Sequence, residues 1–374
     1  MLDQDEIKRY DRHILLPEIG IAGQEKLKRS KVLVIGAGGL GCPVLQYLTA
    51  AGIGTIGVVD FDKVDESNLQ RQILYSVDDI GRSKVECAIS KLSRQNPFVE
   101  FISHYIQLTN QNAIDIIKKY DIIIDGTDNF PTRYLINDAC VLLDKPLVYG
   151  SINRFEGQVS VFNYSIDKEE RGPTYRCLFP EPPSADTAPN CSEAGVLGVL
   201  PGMIGTFQAN EAIKIITGIG DVLSGRLFMI NALTMQFYTI SFERDITVSD
   251  SVSLEQFKKN DYELFCNGRV SNMNNEITAK ELYQLLADNR EAIQLIDVRE
   301  INEQPFIETL KELHIPLNKI IEKADWVSTD KKVIVFCKSG VRSKSAIQIL
   351  QKEKDLNNLY NLKGGVVEWL KNYK

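Results

Sequence analysis

Four glycines, Gly36, Gly38, Gly39 and Gly41, end the apolar run Val32 to Ile35 and lead into Leu40 to Ala51, a stretch of small and apolar residues with helical spacing. Strand, glycine turn and helix in that order present backbone N–H groups and the positive end of a helix to a phosphate. Asp60 closes the next predicted strand, Ile56 to Val59, within reach of a ribose hydroxyl. The same turn serves many nucleotide folds, so the glycines alone leave a nicotinamide cofactor open. Arg71 and Lys84 then add two cations suited to a polyphosphate. Asp128 follows the predicted strand Ile122 to Ile124, at the carboxyl edge of the sheet, where a carboxylate can hold magnesium. Together these groups point to adenylyl transfer rather than hydride transfer.

A second constellation lies far down the chain, in Cys337-Lys338-Ser339-Gly340-Val341-Arg342-Ser343. Cys337 ends a predicted strand and opens a loop that runs through Gly340 into a helix. Such a loop turns backbone N–H groups inward, and the helix N-terminus and Arg342 add positive potential, which favours a thiolate. The loop therefore reads as a carrier of reactive sulfur. Phosphatases use a similar loop, but the acid and fuller phosphate site they need are not evident. His13, His104 and His314 are isolated in sequence and read as structural or solvated.

The elements that must position these groups alternate. Predicted strands recur at Val99 to Ile102, Ile122 to Ile124 and Leu147 to Tyr149, with a helix over Lys84 to Arg94, which implies a Rossmann-like, mostly parallel α/β sheet covered by helices. Gln158 to Tyr164, Arg226 to Ile230 and Phe237 to Phe242 read as further strands, with a helix over Gly202 to Ile216. Ser165 to Ser192, rich in Pro, Glu, Asp and Ser, reads as a long surface loop. Residues 1–242 form one expected domain, the polar stretch 243–276 an interdomain linker, and 277–374 a small second α/β domain. In the latter, helices are expected at Ala279 to Ala287 and after Gly340, with strands at Ile293 to Ile296 and Lys332 to Phe336.

Composition sets outer limits. The 374 residues are 44% hydrophobic and 25% charged, enough for two cores. A net charge of −7 argues against binding nucleic acid through its phosphates. The acidic opening Met1 to Glu6 predicts no secretory signal, and the most apolar stretch, Ala194 to Phe207, is too short to span a bilayer, so a cytoplasmic protein without membrane contact is expected. Seven scattered cysteines suit free thiols.

The first 242 or so residues resemble the ThiF/MoeB group, bacterial relatives of the ubiquitin-activating enzymes. The likeness runs through Arg9-Tyr10-Asp11-Arg12, the glycine loop, Asp60-x-Asp62, Asn68-Leu69-Gln70-Arg71-Gln72, Lys84, Thr127-Asp128-Asn129 and Phe155-Glu156-Gly157-Gln158. It implies that ATP and the C-terminal glycine carboxylate of a ubiquitin-like sulfur carrier, ending in Gly-Gly, react to an acyl adenylate and pyrophosphate. By matching position, Asp60 would bind ribose, and Asp62 and Asn68 would order the site around the phosphates. Arg71 and Lys84 would neutralise the triphosphate, Asp128 would bind magnesium, and Arg12 would act as an arginine finger from the other subunit of a homodimer.

Residues 277–374 resemble a rhodanese domain, with Asp297-Val298-Arg299-Glu300 and the CKSGVRS loop, which implies a Cys337 persulfide stabilised by Arg342. In rhodanese-fused relatives the position of Cys191, in Ala188 to Gly198, is the nucleophile that bonds the carrier. One departure stands out. The group's structural zinc uses a Cys-Tyr-Arg-Cys stretch that here is Thr174-Tyr175-Arg176-Cys177, and 243–263 holds no cysteine, so no structural zinc is expected. The sulfur donor, such as a cysteine desulfurase, and the carrier's pathway, molybdopterin first and thiamine as the alternative, are not written in these residues. An NAD-dependent oxidoreductase and a non-catalytic docking module are the rival functions.

Overall fold

The computed structural model describes residues 1–164, 171–182, 195–249, 252–267, 275–305, 307, 313–354 and 356–373. The chain divides into two units, Met1–Gly268 and Arg269–Lys374.

In the first unit, β1 (Lys31–Ile35), β2 (Thr55–Val59), β3 (Glu100–His104), β4 (Ile122–Asp125) and β5 (Leu147–Asn153) pair in parallel in the order β3-β2-β1-β4-β5. Beyond β5 the sheet continues antiparallel through β6 (Glu156–Phe162), β7 (Arg226–Asn231) and β8 (Gln236–Ser241). A side chain alternates faces along a strand, so β1 serves two cores: Val32 and Val34 pack with Leu45, Leu48 and Val85, while Leu33 and Ile35 pack with Ile117 and Tyr134. This is why the central strands are apolar throughout rather than alternating. The helices Gly41–Ala51, Lys84–Gln95, Phe130–Leu142 and Leu200–Thr217 supply the covering layers.

Two stretches differ from their sequence reading. Within the expected surface loop, Tyr175–Leu178 is a helical turn whose Tyr175 is buried among Tyr134, Tyr149 and Phe162. Within the stretch read as a linker, the helices Leu254–Lys259 and Tyr262–Asn267 place buried Phe257 and Tyr262 in the core of the first unit. Their polar residues face solvent and mask the two aromatic anchors in the composition.

The second unit is an all-parallel sheet in the order β11-β10-β12-β13-β9, built from β9 (Glu276–Ile277), β10 (Ile293–Asp297), β11 (Leu313–His314), β12 (Lys332–Phe336) and β13 (Leu359–Leu362). Helices Ala279–Asp288, Val341–Lys354 and Gly365–Asn372 connect it. Among the described residues, no helix is long and apolar enough to cross a membrane.

Candidate functional site

The nucleotide turn is tied together by backbone contacts. Gly36 adopts φ +94°, and a side-chain carbon there would stand 2.6 Å from the Gly126 carbonyl oxygen, so only glycine lets the loop after β4 close on the turn. Asp60 binds this turn from the end of β2: its carboxylate accepts the N–H groups of Ala37 and Asp62, each at 2.8 Å. Burial pushes the Asp60 carboxyl above its ordinary value, and Lys84 and the two N–H groups oppose that rise. Tyr75 fixes the same turn by donating to the Ala37 carbonyl at 2.8 Å.

Two cations converge on these glycines. A side-chain carbon at Gly39 would lie 3.1 Å from Pro201 and 3.7 Å from Arg71 Cγ, so Arg71 and the start of the helix Leu200–Thr217 overhang the turn. Arg71 is steadied by donating to the Ser67 carbonyl at 3.1 Å, within the turn that Asp65 and Asn68 cap. Lys84 is only 5% exposed, and its Nζ meets Asp62 at 2.9 Å. Its backbone N–H also donates to the Asp62 carbonyl, which pins the first turn of the helix Lys84–Gln95 to the loop after β2. A buried polar head group needs a partner, and Asp62 is that partner.

Asp128 stands on a different support. Asp125, fully buried at the end of β4, accepts from Thr127 N and Oγ1 at 2.9 and 2.6 Å and pairs with Arg133 Nε at 3.2 Å. Arg133 also donates to the Thr127 carbonyl, and Asn129 caps the helix Phe130–Leu142. This frame holds the Thr127-Asp128-Asn129 loop while leaving Asp128 exposed. Among the described residues, no cluster of three or more His, Cys, Asp or Glu could hold a metal unaided. Magnesium in nucleotide sites needs less, since one or two carboxylates and the phosphates suffice.

The structure thus gathers Gly36, Gly38, Gly39, Gly41, Asp60, Asp62, Asn68, Arg71 and Lys84 around one turn, with the loop of Asp128 packed against it. Arg12 is set apart: its side chain is 89% exposed, and its carboxylate neighbour is Asp11 at 3.8 Å. Cys191 lies outside the described residues. In the described residues beyond it, Leu197 donates to the Arg154 carbonyl and Gly198 abuts Gln70, the neighbour of Arg71.

Further along this unit, Cys177 Sγ accepts the N–H groups of Thr174 and Asp245 at 3.3 and 3.4 Å. Beside it Arg176 forms a two-pronged pair with Asp138, at 2.8 and 2.7 Å, and Tyr262 donates to the same carboxylate at 2.9 Å. Arg176 also lies over the rings of Tyr134 and Phe265.

In the second unit Cys337 is fully buried at the end of β12. Its Sγ accepts the Gly340 N–H at 3.2 Å and lies 3.5 Å from the Ser343 hydroxyl. Gly365 approaches so closely that a side chain there would meet the Cys337 carbonyl at 2.3 Å. Asp297 and Arg299 form a buried pair at 2.6 Å that shapes the neighbouring loop. Arg342 is held by Glu303 through two contacts at 2.8 and 2.6 Å, so its guanidinium is partnered by a carboxylate. Glu303, Ser343's partner Asn361, and Arg133 carried no signal in the sequence reading. Their roles come from contacts 39, 18 and 8 residues away.

The chain is similar to known proteins in sequence and in fold. The ThiF family matches residues 10–247, and the rhodanese-like domain matches residues 278–372. The probable adenylyltransferase/sulfurtransferase MoeZ of Mycobacterium tuberculosis is 44% identical over 379 residues, covering 99% of this chain and 94% of that protein. Adenylyltransferase and sulfurtransferase MOCS3 of Xenopus laevis is 40% identical, covering 99% of this chain and 88% of its own length. The sulfur carrier protein adenylyltransferase of Thermus thermophilus is 48% identical across 70% of this chain and 97% of that protein. The crystal structure of E. coli MccB with ATP shares the fold, with a TM-score of 0.56 at 22% identity over 66% of this chain and 74% of that one. With the nucleotide turn at one end and a buried, N–H-bonded cysteine at the other, the chain belongs to the ThiF family, carries a rhodanese-like domain, and is an enzyme of the adenylyltransferase and sulfurtransferase type.

Proposed function

We propose that this enzyme adenylates the C-terminal glycine of a ubiquitin-like sulfur carrier with magnesium and ATP and then loads that carboxylate with sulfur drawn from a Cys337 persulfide. The observation that carries the reading is the convergence of Arg71 and of buried Lys84, paired to exposed Asp62, on the glycine turn and its Asp60. A carboxylate oxygen attacks the α-phosphorus of ATP, and the bond from that phosphorus to pyrophosphate breaks. Two anions must meet for this to happen. Fixed cations and N–H groups that need not reorganise supply most of the help. Asp128 would hold the magnesium ion, whose charge would offset that of the phosphates. Carrier-dependent ATP–pyrophosphate exchange tests the reading. Its absence, with NADH binding in its place, would instead favour an oxidoreductase.

The sulfur arises from a donor such as a cysteine desulfurase. Cys191 takes the covalent step, displacing AMP to form a thioester. The persulfide's outer sulfur then displaces the Cys191 thiolate, and a thiol reductant breaks the S–S bond of the resulting acyl disulfide to free the thiocarboxylate. The carrier is assigned to molybdopterin synthesis, which mass spectrometry of a co-purified carrier decides. Arg12 is assigned to the partner's site in a homodimer, a role suited to its exposure. An Arg12→Ala protein should fail in exchange alone and recover in part when mixed with Arg71→Ala subunits, because one hybrid site then has both arginines. No recovery despite proven subunit exchange places Arg12 outside its partner's site.

We also propose that the first unit holds residues 174–177 without a structural zinc, through Asp138, Arg176, Tyr262 and the N–H groups on Cys177. Removing one partner of a buried charge pair costs about 3–5 kcal/mol. Asp138→Ala should lower the melting temperature accordingly, while chelators leave the unaltered protein's melting temperature unchanged. One zinc per chain by metal analysis would overturn this assignment.

A further inference from the structure

The Ser343 hydroxyl, at the first turns of the helix Val341–Lys354, is fully buried between two acceptors and has one proton to give. Asn361 Oδ1, reaching in from β13, lies 2.7 Å from Ser343 Oγ, and Cys337 Sγ lies 3.5 Å from it. Asn361 is itself oriented from its other end, since its Nδ2 donates to Glu276 at 3.3 Å and Glu276 pairs with Lys344 at 2.9 Å. That fixes the amide with its oxygen toward Ser343. Neither water nor a second donor is needed to satisfy the hydroxyl in this arrangement.

We propose that Asn361 controls how readily the Cys337 sulfur leaves, by competing with it for the single hydroxyl proton of Ser343. The proposal rests on Cys337 as the sulfur-bearing residue. When thiosulfate loads the protein, the Cys337 thiolate attacks the outer sulfur and sulfite departs with the electron pair of the broken bond. When cyanide discharges the protein, it attacks the outer sulfur of the persulfide, the sulfur–sulfur bond breaks, and the electron pair returns to Sγ as a thiolate. A divalent persulfide sulfur is a weak acceptor, so in the loaded state the hydroxyl donates to Asn361. As negative charge builds on Sγ, the hydroxyl turns toward it and joins the Gly340 N–H, because hydrogen bonds to charged acceptors are the stronger ones. Ser343 touches the reacting sulfur, and Asn361 is a positioning residue that acts through Ser343.

Among the described residues, the other charged groups near Cys337 are committed or exposed, and Lys332 on the same strand lies over the Tyr360 ring. Arg342 pairs with Glu303, Arg299 with Asp297, and Lys371 with Glu368, while Lys338 and Lys363 are exposed. The competition therefore predicts opposite signs for the two substitutions. Ser343→Ala removes the donor, and iodoacetamide alkylation of Cys337 at neutral pH should slow about tenfold, the size of one charge-assisted hydrogen bond. Its discharge by cyanide should slow in parallel. Asn361→Val removes the competitor, and alkylation should quicken about threefold, with its pH midpoint moving down. The double variant should behave as Ser343→Ala alone, since Asn361 has no other route to the sulfur. Asn361→Ala, which adds no branched side chain, repeats the test should the valine disturb folding by circular dichroism.

Changes of the same sign in both single variants, as a packing role would give, overturn the proposal, and so does an Asn361 effect that persists without Ser343. A Glu276→Gln protein that reproduces the Asn361 effect would likewise overturn it, because the charge at Glu276 would then be the cause. Failure of the underlying reading looks different. In that case the unaltered protein, treated with thiosulfate, gains no 32 Da adduct at Cys337 by mass spectrometry, which is the mass of one sulfur atom at roughly 32 Da.

Discussion

Cys337→Ala is expected to abolish sulfur transfer from thiosulfate or a desulfurase while leaving carrier-dependent ATP–pyrophosphate exchange at the rate of the unaltered enzyme. A persulfide needs a thiolate, and a thiolate needs donors arranged about it. Cys337 has the Gly340 N–H at 3.2 Å and the Ser343 hydroxyl at 3.5 Å. Four other described thiols, Cys42, Cys87, Cys140 and Cys266, lie in settings that work against ionisation. Burial pushes Cys42 up to about 12, Cys266 up to about 12, and Cys87 and Cys140 upward as well. None of them stands at a strand-to-helix loop with inward N–H groups. Every group assigned to adenylation belongs to the first unit, so exchange has no reason to change. Cys191→Ala gives the informative contrast, since it should adenylate and form the Cys337 persulfide yet release thiocarboxylated carrier slowly or not at all. Persulfide formation in Cys337→Ala, or exchange lost along with sulfur transfer, would sink the division of labour.

The parts of this molecule that sequence reveals are those set by short-range rules. The strands of the first sheet are legible because burial on both faces forces unbroken apolar runs such as Val32 to Ile35. The turn from Gly36 to Gly41 is legible because backbone approaches at Gly36 and Gly41 leave no room for a side chain. Long-range polar pairs are not legible, since an arginine on a helix looks the same whether it faces water or a buried carboxylate. Arg133 fixes the Asp128 loop through Asp125, and Arg342 turns to Glu303, 39 residues earlier. Asn361 is a single polar residue in a short strand, and only the pairing of β12 with β13 brings it beside the sulfur loop. The stretch 243–276 misleads for the opposite reason. Its charge is real, but two aromatic residues, Phe257 and Tyr262, decide where it docks.

Arg71→Ala and Asp128→Ala are each expected to lower carrier-dependent exchange by about a hundredfold or more. The estimate follows from the roughly 3 kcal/mol that one preorganised electrostatic contact contributes to a transition state. Arg71 meets the requirement of preorganisation because its side chain is fixed over Gly39 and steadied at Ser67 before any nucleotide arrives. Asp128 meets it through its loop, which the buried Asp125–Arg133 pair holds against the glycine turn while its own carboxylate stays open to solvent. The two losses should differ in character. Raising the magnesium concentration should recover part of the activity of Asp128→Ala, whose defect is a missing ligand, and none of that of Arg71→Ala, whose defect is a missing charge on the polyphosphate. Lys84 cannot compensate, as its contact with Asp62 at 2.9 Å holds it in its own place and keeps it from taking that of Arg71. Normal exchange in either variant removes that residue from the site, and equal recovery of both by magnesium would show that Asp128 is not the ligand.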